Sequence, residues 1–507
     1  MKKSQRLRWQ AAAIMTAAAL GVAACSSSSS SSATSSSSGS SNAALTASAP
    51  GVTTTTITIG SHQPLTGPAA PGYSEIAPAA NAYFQYVNAN GGVYGRKIVY
   101  KYLDDGYNPT TITIGSHQPL TGPVAPGYSE IAPASNAYFA YVNAHGGVYG
   151  RKIVYKYLDD AYNPTTTASV VRELVLQDSV YAVFNGLGTP THLAAISFLN
   201  AQKVPDVFVA SGCACWNQPT TYPDTFGYQL DYVREGKILG QYVAQHFKGK
   251  KVAYFYQNDD FGQDGVKGLN YEIPASMVVG KQSYVPTNVN IGPQVAALHA
   301  SGAQVVVSFS VPAFTALLKL YGLKLGYSPT LVVSGVNSDV YTLDGLLETY
   351  AKASGATVNG SQLTNGIITD SYLPTQAQTS NSWTMLFKMI HDQYDAKEPW
   401  DGNAVYGEAV GYAFVEAMFK AGRNPTRADL VSAINGGLPQ GPVVAPFAYS
   451  SSNHAGTTGA FMAVMGNGAL TEQGPVLITD TSATGAITTY TGTEQQAPAS
   501  GIPSASS

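Results

Sequence analysis

The sequence predicts an α/β protein of two lobes, each a parallel sheet covered by helices on both faces. Three observations predict it. Short β-branched runs alternate with stretches of helical spacing from about residue 57 onward, and repeated β-α-β alternation with right-handed crossovers makes parallel sheets. Roughly four hundred residues lie between the polar ends, enough for two separate cores. The first third also holds an internal duplication, each copy of which reads strand, turn, helix, strand.

The N-terminus comes first. Lys2, Lys3, Arg6 and Arg8 precede the apolar run Ala11 to Ala24, which ends in Val22-Ala23-Ala24-Cys25. Basic stretch, apolar run and small-residue site together read as a secretory signal peptide over residues 1–24. A Cys followed directly by Ser at such a site looks like a bacterial lipoprotein signal, so Cys25 is expected to carry a lipid anchor; an ordinary signal with an incidental Cys is the alternative. The run is too short for a comfortable membrane span. Residues 25–56 are mostly Ser, Thr and Ala without apolar periodicity, and read as a flexible tether. The polar stretch 481–507 reads as a disordered tail.

Composition excludes several function classes. Charged residues are 11% and the formal net charge is -3, so no basic surface of the kind that binds nucleic acid is expected. The 33 Tyr offer large area with a polar tip, useful in a wet cleft, although half-buried packing accounts for most. Beyond Cys25 only Cys213 and Cys215 remain. A Cys-x-Cys is neither zinc-ribbon nor redox spacing, and a bond between the two would be strained; both are read as loop residues, with a local disulfide as the alternative.

The duplication relates Ile57 to Ile112, an offset of 55 residues (112 − 57), with five differences: Ala69/Val124, Ala80/Ser135, Gln85/Ala140, Asn90/His145 and Gly106/Ala161. Nothing after Thr166 continues the pattern, so it is one duplication and not a solenoid. In the second copy Ile112 to Gly115 is a strand, Pro126 to Asn143 carries helical spacing ended by Gly146-Gly147, and Ile153 to Tyr157 is the next strand. The alternation then runs through a helix face at Val170, Val171, Leu174 and Val175, a strand at Tyr181 to Phe184, a helix at His192 to Leu199 and a strand at Asp206 to Val209. A helix from Tyr232 to Phe247 follows, with strands at Val252 to Tyr256, Val305 to Phe309, Thr330 to Val333 and Gly366 to Thr369. Because the second copy continues directly into the helix near Thr167, it is expected in the first lobe, and the copy at 57–111 is surplus.

From Ile112 to about Gly268 the chain resembles the periplasmic leucine/isoleucine/valine-binding protein family, with weaker similarity to about Met465. The pieces that carry the resemblance are Pro119-Leu-Thr-Gly-Pro123, Val142-Asn-Ala-His-Gly-Gly147, Asp159-Asp160, Phe184-Asn-Gly-Leu-Gly-Thr-Pro-Thr191, Val209-Ala-Ser-Gly212 and Tyr256-Gln-Asn-Asp-Asp-Phe-Gly262. The resemblance implies a type I periplasmic binding fold, two Rossmann-like lobes joined by three hinge crossings. It implies lobe 1 at 112–230 and 372–455, lobe 2 at 231–371 and 456–480, and an ABC permease in the membrane as partner.

In open parallel sheets ligands sit beyond the carboxyl ends of strands, beside helix N-termini. Gly186 to Thr191 and Ser211 to Cys213 each follow a strand, so Gly188, Thr189, Ser211, Gly212 and Cys213 are candidate ligand-binding residues. Family counterparts of Thr189 and Ser211 contact the ligand; the alternative is that both cap their own helices. Tyr128 and Phe261 adjoin positions where relatives place ring walls, Trp216 is a weaker candidate, and packing is the alternative for each. His117 sits at a switch point, as a ligand contact or a structural bond. Relatives that bind α-amino acids place a carboxylate near the segment matching Val333 to Asp339, where this chain offers Asn337 and Asp339. Asp259-Asp260 and Asp159-Asp160 are expected to satisfy turn and helix-start donors.

The chain has no His-Glu-x-x-His, Gly-x-Ser-x-Gly or Gly-x-x-x-x-Gly-Lys pattern, so an enzyme is not expected, nor a cofactor or metal. The expected function is an extracytoplasmic, lipid-anchored, monomeric receptor for a small polar solute (branched-chain amino acid, amide or related compound) that closes by a hinge and delivers to an importer. The alternative is a ligand-sensing subunit that docks to a separate signalling receptor.

Overall fold

The computed structural model describes residues 46–47, 49–66, 70–104 and 111–504. The expected signal peptide (1–24), the lipid site Cys25 and most of the tether lie outside the described residues. Among the described residues, those up to Ser61 together with Ala77–Tyr102 cluster as one compact unit, and those in His62–Ile76 and from Leu103 onward as a second.

The first copy folds as its sequence predicts, with β1 (Thr56–Gln63), α1 (Ala70–Tyr73), α2 (Ile76–Ala89) and β2 (Lys97–Asp104). β1 and β2 pair in a two-stranded sheet of their own.

The second unit opens with the second copy: β3 (Thr111–Gln118), α3 (Ala125–Tyr128), α4 (Ile131–Ala144) and β4 (Lys152–Asp159). The single helix expected over 126–143 is broken, because Pro126 and Gly127 leave helical geometry. Gly127 takes φ +83°, and a Cβ there would lie 2.4 Å from Thr342 Oγ1, so only glycine fits. Then follow α5 (Pro164–Leu176), β5 (Ala182–Phe184), α6 (Thr189–Ala201), β6 (Asp206–Val209) and β7 (Thr225–Gly227). The five strands form a parallel sheet in the order β4-β3-β5-β6-β7. α4 covers one face and α5 packs with α6.

The chain then crosses to a second sheet. Its elements are α7 (Tyr232–His246), β8 (Val252–Gln257), α8 (Asp260–Glu272), β9 (Val278–Tyr284), α9 (Gly292–Ala300), β10 (Val305–Phe309), α10 (Pro312–Lys324), β11 (Thr330–Val333), α11 (Val340–Ala353), α12 (Gly360–Thr364) and β12 (Ile368–Ser371). Helices α13 (Ser382–Tyr394), α14 (Gly402–Ala421) and α15 (Arg427–Asn435) belong to the first lobe, where α13 and α14 pack on α4. The chain returns to lobe 2 as β13 (Gly459–Gly466), β14 (Ala469–Ile478) and β15 (Thr488–Thr489). The chain thus passes between the lobes three times up to β13, after β7, after β12 and after α15. The larger sheet runs β15-β14-β13-β12-β11-β10-β8-β9. β13 to β15 pair antiparallel, an edge that the expectation of purely parallel sheets missed.

Helix starts follow local chemistry. Asn163, Asp231, Asp259, Asp339, Asn381 and Asp401 each accept from a backbone N–H of the helix they precede, the standard N-cap bond.

The expectation of a disordered tail is corrected for residues 481–504. After β15 the chain lies on lobe 1: Trp383 Nε1 donates to Gln495 O at 2.6 Å, Ala497 N to Ser382 Oγ at 2.9 Å, Tyr141 Oη to Ser500 O at 2.8 Å and Tyr138 Oη to Gly501 O at 2.9 Å. Composition missed it because the stretch is mostly polar, although Ile487, Ala497 and Ile502 pack against the core and backbone groups complete the anchoring.

Candidate functional site

A cavity of about 90 Å³ opens between the two lobes. Its wall is assembled from loops at the carboxyl ends of strands and from the crossing segments. Lobe 1 contributes Tyr128 after β3, Leu187, Gly188 and Thr189 after β5, Ala210 after β6, and Asn403 and Tyr406 from the start of α14. Lobe 2 contributes Phe261 after β8, Val311 after β10, and Gly335, Val336, Ser338 and Asp339 after β11. Gln229 and Tyr232 come from the first crossing, Ser371 to Gln376 from the second.

Two loops of lobe 1 are zipped together. Gly188 N donates to Ala210 O and Ala210 N to Gly186 O, and the Thr189 and Ser211 hydroxyls meet at 2.7 Å. Gly188 holds φ +99° as the residue before α6, a left-handed geometry that glycine supplies without strain. The structure therefore brings Gly186–Thr191 and Ser211–Cys213 side by side. Gly188, Thr189, Tyr128 and Phe261 reach the cavity wall.

The remaining sequence candidates lie behind it. Ser211 accepts from Cys213 N and supports Thr189. Gly212 is where the crossing chain passes, since a Cβ on it would meet Leu230 O at 2.2 Å. Cys213 is buried and disulfide-bonded to Cys215, which settles the alternative left open by the sequence. Trp216 is buried, donates through Nε1 to Ser211 O and packs its ring edge-on to His192. Asn337 is buried and donates to Ser310 O.

His117 takes the structural alternative. Its Nδ1 lies 2.8 Å from Asp160 Oδ2 and its Nε2 2.9 Å from His192 Nδ1, while His192 Nε2 lies 2.8 Å from Asp206 Oδ2. Burial holds His117 below its ordinary range, against the pull of Asp160.

The electrostatics of the wall are one-sided. Among the described residues it holds no Lys, Arg or His, and one carboxylate, Asp339. Asp339 is already satisfied: it accepts from Tyr341 N, from Thr342 N and Oγ1, and from Asn403 Nδ2. The Asn403 bond links lobe 1 to lobe 2. More acids stand behind the wall. Burial, then the Asp339 charge, hold Asp401 up at about 10. Burial lifts Glu235 to about 7, although Gly335 N donates to it at 2.6 Å. Burial, then Glu235, push the neighbouring Asp370 well above the usual carboxylate range.

Sequence reasoning missed Tyr162, Tyr232, Tyr372, Tyr406, Gln229 and Asn403. The abundance of tyrosine was the signal; Tyr162 follows β4, while the others come from crossings and a distant helix, where strand-end logic does not look. Tyr232 packs on Phe261 with ring centroids 4.6 Å apart. Asp259 caps α8 and accepts from Gln257 Nε2, and Asp159 takes the turn donors of Leu120, Thr121 and Ala161. Among the described residues no wall hydroxyl is hydrogen-bonded to a histidine, no group of three or more His, Cys, Asp or Glu could hold a metal ion, and no helix is long and apolar enough to cross a membrane. The arrangement is suited to enclosing a molecule.

The model of the periplasmic binding protein family matches residues 56–112 and again 111–469. The chain belongs to that family. The double match marks the duplication, the first copy being recognised by itself. This periplasmic binding protein is 27% identical over 209 residues to Leu/Ile/Val-binding protein homolog 3 of Brucella melitensis, covering 38% of this chain and 53% of that one. It spans about half the length of the curated relatives it matches. Two solved structures share the fold: a possible leucine/isoleucine/valine-binding protein from Rhodopirellula baltica (TM-score 0.64, 19% identity, covering 73% of this chain and 98% of that one) and a branched chain amino acid ABC transporter protein from Thermus thermophilus with bound valine (TM-score 0.63, 18% identity, 73% and 97%).

Proposed function

We propose that the protein is the extracytoplasmic solute-binding subunit of an ABC importer, anchored through a lipid on Cys25, and that it closes its two lobes around one small polar solute. The observation that carries this reading is the cavity whose wall draws on both lobes and on two of the crossings, an arrangement that a hinge opens and shuts. Thr189, with Gly188 beside it at the start of α6, takes the polar end of the solute. Ser211 holds the Thr189 hydroxyl in place, and Tyr128 and Phe261 flank the rest. Gly212, Cys213, His117 and Asn337 act by fixing the loops that carry the wall. The closed form is what a permease recognises.

Relatives named for leucine, isoleucine and valine support branched-chain amino acids as the first solutes to test, while Asp339, with four donors already engaged, supports including neutral amides. A thermal-shift screen over branched and polar amino acids, short amides, urea and small carboxylates is expected to give at least one solute that raises the melting temperature. Thr189→Ala combined with Ser211→Ala is expected to weaken binding of that solute by about 1.5–3 kcal/mol, the range for one buried bond to a charged group. Unchanged affinity in the double variant would move the polar end of the solute elsewhere.

A further inference from the structure

The chain carries two nearly identical strand-helix-strand segments and one slot built to hold such a segment. In lobe 1 the second copy fills it. α4 lies directly on α14: Ser135 Oγ donates to Gly407 O at 2.7 Å, and a Cβ on Gly407 would stand 2.5 Å from Ile131 O. Tyr138 packs against Gly411 and reaches Gly501 O. The same face of α2 is uncovered. Tyr83, the counterpart of Tyr138, is 64% exposed against 0%, and Tyr86, the counterpart of Tyr141, is 66% exposed against 7%. Ala77 is the one buried residue of α2.

We infer that the first copy is an exchangeable spare, able to take the place of the second copy on α14 in lobe 1 while the second copy loops out. The face offered is the face received. None of the five differences puts added bulk against α14: Ala80 and Ala69 are smaller than Ser135 and Val124, Gln85 replaces a partly exposed Ala140, Asn90 replaces His145 at the helix end, and Gly106 replaces an Ala161 that holds φ +50°. The ends also match. Asn108-Pro109-Thr110-Thr111 repeats Asn163-Pro164-Thr165-Thr166, the segment in which Asn163 caps α5. Exchange leaves 55 residues as an insertion before α5, and closure entropy grows only logarithmically with loop length.

The cavity survives the exchange. Tyr73, Ile76 and Tyr107 stand in sequence for the wall residues Tyr128, Ile131 and Tyr162, and His62 and Asp105 for His117 and Asp160. The Ser135 bond to Gly407, the burial of Val124 and unbroken continuity into α5 bias the slot toward the second copy. The inference does not depend on the solute-binding role, because its test reads folding.

The test uses the full chain with Tyr83→Asp, Tyr138→Asp and both, followed by thermal melting and hydrogen exchange. Peptides spanning 76–89 and 131–144 differ in mass at 80/135 and 85/140, so each copy is read separately. Tyr83→Asp is expected to leave wild-type melting. Tyr138→Asp is expected to melt within about 3 °C of wild type, with slow exchange transferred from 131–144 to 76–89, and the double variant to lose more than about 10 °C. Tyr138→Asp melting as low as the double variant, or 76–89 remaining in fast exchange, would overturn the exchange.

Discussion

Buried carboxyl groups set the pH response of single residues in this protein. Burial pushes Glu416 up to about 8, with Lys420 pulling the other way, and Glu235 to about 7, each from an ordinary 4.5. A raised folded-state value means that the native chain holds protons the unfolded chain has released, so this stability is fully present below about pH 4.5 and is lost as pH rises toward 8. His117 and His454, held low by burial, act in the opposite sense, and only below about pH 6.5. The melting temperature is expected to fall by several degrees between pH 6.5 and pH 8, and Glu416→Gln to flatten that fall; a melting temperature that rises over this range would refute the assignment. At this scale the strand-end candidates Gly188, Thr189, Tyr128 and Phe261 were legible, because a residue just past a parallel strand has few places to go. The role of His117 was not, since its partner His192 lies 75 positions away. Tyr406 and Asn403 arrive on a helix whose docking no local pattern encodes.

Among the elements, the segment from Thr481 to Ser504 departs most from expectation. Lys237, fully buried in α7, donates to the carbonyls of Asp480, Ser482 and Gly485, and β15 joins the lobe 2 sheet before residues 495–501 settle on lobe 1. Removing 481–507 would strip an ammonium of two of its three carbonyl partners and uncover Tyr138 and Trp383. Leaving a buried charge short of partners costs about 3–5 kcal/mol, so the truncated chain is expected to melt roughly 10 °C lower. A truncated chain with unaltered melting would return this segment to the status of a tail. The regular elements were readable where period and punctuation agreed: β6 and β10 match their expected limits residue for residue. Strand direction was not readable at β13 and β14, because pairing sense depends on the side from which the chain re-enters the sheet.

At the scale of the molecule, two lobes share a wall rich in tyrosine, and an Asn403 to Asp339 bond ties them at its rim. Length, alternation and family resemblance were enough to anticipate two lobes, because each property is summed over many residues. The mechanism rests on the lobes moving together when a solute occupies the space between them. Small-angle scattering with and without the solute found by the thermal-shift screen measures this directly. The radius of gyration is expected to decrease on saturation, and an unchanged radius despite saturating, tight binding would contradict closure of the lobes.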